Sequence, residues 1–264
     1  MLPSLFIAHG APTLAVEKNT YTDALKELAG QLKRPRAIVI FSAHWESPVQ
    51  EIGSADVFST IHDFGGFPRE LYEIQYPANG DRLLAEETAA LLRSAGVSVR
   101  FHPSRGLDHG AWVVLRLMYP DADIPVVPMS VNPALTPQEQ YDIGRALRAL
   151  RRRDILIIGS GGTVHNFAKI NMWAKPGQAD EWAVQFEEWL AETLTAWDLP
   201  ALYRYRELAP YANWAVPRHG SEHFVPLLYA MGAADDDRRA QRLHLSFQLG
   251  SLSHVIWQFG AGTD

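Results

Sequence analysis

The 264-residue chain contains no cysteine. No disulfide can brace it and no thiolate can hold a metal, so any metal site must be built from imidazole, carboxylate and water. That donor set suits Fe(II), Mn(II) or catalytic zinc and excludes a Cys-type structural zinc site. The sequence also lacks any apolar run approaching the roughly 18 residues of a membrane span, and no basic N-terminal region precedes a long apolar core. A cytoplasmic protein is the expectation. There is no surplus of positive charge either: the net charge is −6 with the charges dispersed, which argues against nucleic acid or an anionic membrane surface as a partner. No Ser/Gly-rich linker or low-complexity stretch divides the chain, so one domain over residues 1–264 is expected.

What the chain does have is a repeated pattern of apolar strands closely followed by histidine. Ala37 to Trp45, AIVIFSAHW, is β-branched and uncharged, as expected of a strand covered on both faces, and brings His44 to its end. LFIAHG does the same for His9, and DILIIGSGGTVHN comes close to doing so for His165. In a parallel sheet these strand ends share one edge, where open α/β folds bind their ligands. One polar, metal-competent pocket follows from the pattern.

The rest of the chain alternates helix and strand. Helices are expected over about 21–32, 81–95, up to Met118, 137–152, 178–197, 199–208 and 224–231. Further strands are expected at 97–101, 124–131, 154–158, 243–247 and 252–259, the last two as a hairpin. Two prolines in IPVVPMSV predict an edge strand or a bulge. Residues 45–80 read as one long binding or lid loop. In the helix over 178–197, Trp182, Phe186, Trp189, Leu190, Thr193 and Trp197 form the apolar side and Glu187 falls on the wetter one. The fold class is α/β: a three-layer arrangement with a central mixed, largely parallel sheet flanked by helices. The abundant Trp and Tyr fit a core or the interface of a homodimer.

None of the ten histidines belongs to an HExxH pair or another short metal signature. His9 and His44 are candidate metal ligands by position, and Glu222-His223 offers a third, as carboxylate or as imidazole. His109 follows Asp108, which could orient its ring. His109 and His165 are candidate acid and base. The glycines of GSGGT lack the P-loop pattern and would let backbone approach a ligand. His62 is a candidate pocket residue, while His102, His244 and His254 read as structural. Ser42, Ser160 and Ser221 raise a serine hydrolase, but the G-x-S-x-G elbow is not met.

Taken together, HGAP (residues 9–12), SAHW (42–45), TIHDFGGFP (60–68), LDHGAW (107–112), YPDADIPVVPMSV (119–131), GSGGTVHN (159–166) and SEHFVPLLYAMGA (221–233) resemble the DODA-type class of extradiol ring-cleavage dioxygenases. This class sits within the LigB-like superfamily, and the similarity runs in order over nearly the whole chain. It implies a non-haem Fe(II) enzyme, with Zn(II) possible in the same site, that uses O2 to open a small catechol such as L-DOPA by 4,5-cleavage. It also implies metal ligation by His9, His44 and His223, with Glu222 as the alternative third ligand. By the same resemblance His165 is the base, able to approach the metal when substrate is absent, and His109 contacts substrate or oxygen. Arg218, Arg69 and Tyr211 are candidates for recognising the substrate's side chain. Two other functions share the same histidines: a zinc-dependent hydrolase, and a non-catalytic metal-binding protein.

Overall fold

The computed structural model describes residues 1–175 and 177–261. Eight strands form one sheet: β1 (Ser4–Ala8), β2 (Ala37–Glu46), β3 (Gln50–Gly53), β4 (Val99–His102), β5 (Val126–Val131), β6 (Ile155–Gly161), β7 (Ala240–Gln248) and β8 (Leu252–Phe259). Their order is β4-β3-β5-β2-β6-β1-β8-β7. The central pairs β5/β2, β2/β6 and β6/β1 are parallel, as is the outer pair β3/β4, while β8 and β7 extend the sheet antiparallel. The sheet is therefore mixed and largely parallel, as expected.

The helices are α1 (Thr20–Gln31), α2 (Arg69–Glu73), α3 (Arg82–Ser94), α4 (His109–Met118), α5 (Pro137–Ala146), α6 (Glu181–Thr195), α7 (Leu199–Tyr203), α8 (Tyr205–Leu208), α9 (Ala212–Ala215) and α10 (Val225–Gly232). Strand alternation divides them into layers. On β2, Ile38 and Ile40 face the core shared with α1, α4 and α6, whereas Ala37, Val39 and Phe41 face the one shared with α3 and α5. Burying a side chain such as Phe186 of α6 completely contributes about 1.5–3 kcal/mol, and this two-sided burial is what holds the layers together.

Helix ends follow local chemistry. Asn19 and Thr136 each close a capping box, on α1 and α5, and Asp81 caps α3. Helix α5 ends at Ala146, earlier than the expected 152, because the chain tightens into a 3-10 helix over Arg148–Arg153 and stops at Asp154 with φ 59°.

Three expectations are corrected. Of the two alternatives for strand β5 the edge is corrected, since the strand is interior, and the bulge holds: it meets β3 at a single bridge, Ile52 to Met129, and its register with β2 shifts between Phe41 and Glu46, which tolerates its prolines. The region 45–80 is not one loop, since it holds β3 and α2; β3 is too short to show periodicity. Glu187 lies on the buried side of α6 and is fully enclosed, because Thr163 on the sheet edge donates a hydrogen bond to it.

Candidate metal centre and cavity

Parallel pairing brings the C-terminal ends of β1, β2 and β6 to one edge: Ala8 lies opposite Gly161 and Ser42 opposite Ser160. His9 follows β1 directly. His44 lies within β2 and not just beyond it, on the stretch where pairing to β5 is irregular. His223 is supplied by the 3-10 turn Ser221–His223 that leads into α10. One donor atom from each of the three lies within 4.8 Å of the others.

The orientation of the rings is set from behind. His9 Nδ1 is 3.1 Å from Ser160 Oγ, His44 Nδ1 is 3.3 Å from Asp63 Oδ2 and His223 Nδ1 is 2.9 Å from Glu222 Oε1. With each Nδ1 occupied by an oxygen, the Nε2 atoms are left to converge, which is how metal-binding histidines are held. His9 Nε2 and His44 Nε2 are 3.0 Å apart, and buried His223 Nε2 has no partner. Burial above all, then the neighbouring imidazoles, drives His9 well below the ordinary histidine range and His44 down to about 2. Three imidazole nitrogens turned toward one point, one of them orphaned, fit a divalent cation bound by imidazole. Of the two alternatives at the third position, the structure turns His223 into the trio and puts Glu222 behind it.

His109 opens α4 with its Nδ1 3.0 Å from Asp63 Oδ1 and its backbone N–H donating to the same oxygen at 2.9 Å. Burial would raise the Asp63 carboxyl, but the contacts with His109 and His44 outweigh it and hold it down at about 2. The expectation that Asp108 orients His109 is corrected. Asp108 is the N-cap of α4, accepting from Ala111 N–H at 3.1 Å and from Ser42 Oγ at 2.5 Å and pairing with Arg105, so its oxygens are committed to the helix start. Sequence reading passed over Asp63, which is distant along the chain from both histidines it serves.

His165 stacks face to face on His223, with ring centroids 3.6 Å apart and planes 9° apart. It stands outside the converging trio. Burial first, then His223, lowers its pKa to about 3. The preceding glycines allow close approach within the protein, since a Cβ on Gly159 would lie 2.1 Å from Pro226 O and one on Gly161 2.0 Å from His223 O, and Gly161 and Gly162 also line the cavity beside the trio. Ser42 and Ser160 are buried supports, and Ser160 Oγ donates to Gly110 O as well as meeting His9. No nucleophile elbow forms around them.

Beside the trio opens a cavity of about 260 Å³ lined by His9, His44, His109 and His165 and walled by Phe64, Phe67, Val164, Phe167 and Leu252. A larger groove of about 810 Å³ elsewhere contains no histidine. Several expectations about recognition are not met. Arg69 pairs with Glu73 in solvent, Tyr211 packs on Trp214, Arg218 is exposed, and none of the three lines the cavity. His62 contacts Ile74 O at 3.0 Å and is likewise absent from the lining. His254, read as structural, does line it, together with Gln248. The period-2 alternation of the hairpin carried that signal, because it puts both on one face.

Residues 3–260 match the family described as the catalytic LigB subunit of aromatic ring-opening dioxygenase. The chain is 38% identical to a 4,5-DOPA dioxygenase extradiol of Beta vulgaris, over 97% of this chain and 96% of that one. It is 37% identical to a protein of the same description from Escherichia coli strain K12, over 98% and 95%. The crystal structure of an uncharacterized Escherichia coli K12 protein superposes with a TM-score of 0.81 at 32% identity, covering 98% of this chain and all of the other.

Proposed function

This chain belongs to the LigB family of aromatic ring-opening dioxygenases, and from that premise we propose that it cleaves a small catechol with a short polar substituent, L-DOPA being the first substrate to try, at a site holding Fe(II). It is an extradiol ring-cleaving dioxygenase; the substrate and the metal are the proposed part. The observation that carries the proposal is the convergence of His9, His44 and His223, each with Nδ1 engaged by an oxygen, at the wall of a cavity of about 260 Å³ faced by aromatic rings. Three imidazole ligands would leave coordination positions open to substrate and O2.

His9, His44 and His223 would hold the metal. Bound there, Fe(II) supplies Lewis acidity toward the catechol oxygens and a one-electron route between catechol and O2. The chain's own groups do the rest. His165 lines the cavity beside the trio, where its ring is the group to accept the proton of a catechol hydroxyl as the ring enters. His109, held by Asp63, is the group to donate a hydrogen bond or a proton to the reacting oxygen. Phe64, Phe67 and Phe167 confine the aromatic ring and limit water at the reacting carbons.

The test is oxygen uptake with simultaneous absorbance spectra after L-DOPA, protocatechuate and simpler catechols are added to anaerobically Fe(II)-reconstituted protein. Stoichiometric O2 consumption with a yellow ring-opened product is expected. No uptake with any catechol, despite confirmed Fe(II) occupancy, overturns the catechol assignment.

A further inference from the structure

The hairpin β7–β8 contributes Gln248, Leu252, Ser253 and His254 to the cavity wall. Gln248 pairs with Leu252 and Ser246 with His254, so these four share one face of the hairpin. Three of them, Gln248, Leu252 and His254, line the cavity.

His254 is 6% exposed, and its Nε2 is buried without a partner. The ring is fixed in place by stacking on Tyr21, centroids 4.7 Å apart and planes 14° apart, while Tyr21 donates to Ala8 O at the end of β1. It also leans on the turn after His9, where a Cβ on Gly10 would come within 2.8 Å of His254 Nε2. A buried imidazole nitrogen left unpaired beside a ligand-sized cavity costs free energy unless a ligand pairs it. Nothing in the chemistry assigned to the metal trio, His165 or His109 uses it. Among the described residues lining the cavity there is also no lysine or arginine. An anionic substituent would therefore enter without a countercharge, at a desolvation cost that neutral donors offset poorly.

We propose that Gln248 and His254 form an uncharged hydrogen-bonding subsite that receives the polar substituent of the catechol ring and favours groups without net charge, such as a hydroxyl, an amide or an amino-acid zwitterion. This rests on the catechol reading above and extends it to the part of the substrate that does not react. The two side chains select the substrate; they do not touch the reacting atoms.

The experiment compares 4-(2-hydroxyethyl)catechol with 4-propylcatechol, which differ by a hydroxyl in place of a methyl, and with 3,4-dihydroxyphenylpropionate, which carries a carboxylate. Both kcat/KM and anaerobic equilibrium Kd are measured on the Fe(II)-reconstituted protein. The wild type is expected to prefer the hydroxyl compound over the propyl one by about tenfold, the worth of one well-made neutral hydrogen bond, and to bind the carboxylate less well than the hydroxyl. His254→Leu and Gln248→Leu should each reduce the hydroxyl preference, and His254→Gln, which keeps a hydrogen-bonding group, should retain part of it. A wild-type ratio near one, an unchanged ratio in both leucine variants, or tightest binding of the carboxylate overturns the proposal. If no catechol is turned over, the reaction assignment fails while the Kd ratios still judge the subsite, and absence of binding by all three compounds overturns both.

Discussion

Asp63 stands 3.3 Å from Nδ1 of His44 through one carboxylate oxygen and meets His109 through the other. One carboxylate thus orients a metal-trio ring and the proposed acid together. Asp63→Asn keeps the shape and removes the charge. It is expected to weaken metal binding by about 10- to 100-fold and to lower kcat as well, since His109 loses its partner. Competitive metal titration beside oxygen-uptake kinetics checks this; wild-type affinity in the variant would show that His44 is oriented without Asp63.

His44→Ala and His165→Ala separate ligation from proton transfer. The first removes one of three converging donors and should abolish stable metal occupancy. The second removes a ring stacked outside that trio and should keep most of the metal while losing ring cleavage. Metal content by elemental analysis, set against oxygen uptake, distinguishes the two. Equal metal loss in both variants would make His165 a ligand.

Gly161→Ala tests a close approach of backbone. Its Cβ would lie 2.0 Å from His223 O, and the adjacent Gly162 N–H donates to that same carbonyl at 2.8 Å. The turn carrying His223 must shift, so metal affinity should fall by at least about tenfold and stability by about 1–3 kcal/mol, the usual cost of overpacking. Calorimetric melting with and without metal reads both effects. A fully metal-competent variant would mean that the turn can move without displacing His223.

Acid should destabilise the metal-free protein through its buried histidines. Burial, then His244, holds His254 down at about 4 against an ordinary 6.5. Between those values the unfolded chain binds a proton that the folded chain does not, so stability falls as pH drops through that window and levels off below it. The loss approaches about 3 kcal/mol for this one group. Buried His9, His44 and His165 act in the same direction. Urea midpoints measured from about pH 7 down to about pH 4 should decline less steeply for His254→Gln than for the wild type. Identical slopes would mean that His254 is protonated in the folded protein.

The strand-then-histidine pattern made the catalytic edge legible, because a parallel sheet must put the ends of β1, β2 and β6 together. What surrounds that edge depends on contacts between segments with no local signature. Asp63 sits in an aperiodic stretch, and nothing near it in sequence points to His44 or His109. Glu187 occupies a charged-looking helix position whose burial is decided by Thr163 across the interface. His254 looked structural because a strand shows which residues share a face, not whether that face meets a core or a cavity. The prolines of β5 signalled a disturbed ladder correctly, but a disturbed ladder can lie inside a sheet as well as at its edge.

The three rings that converge come from the residue after the first strand, the second strand and a turn close to the last helix, so no short fragment of the chain holds the site. Nascent or partly folded chains have little to offer a metal beyond single imidazoles, and high affinity arises only once the long-range β pairings have closed. Metal retention is thereby a readout of native topology. It adds free energy to the completed fold alone, in proportion to the logarithm of metal concentration over Kd, so a chelator should lower the melting temperature even of protein that is not turning over.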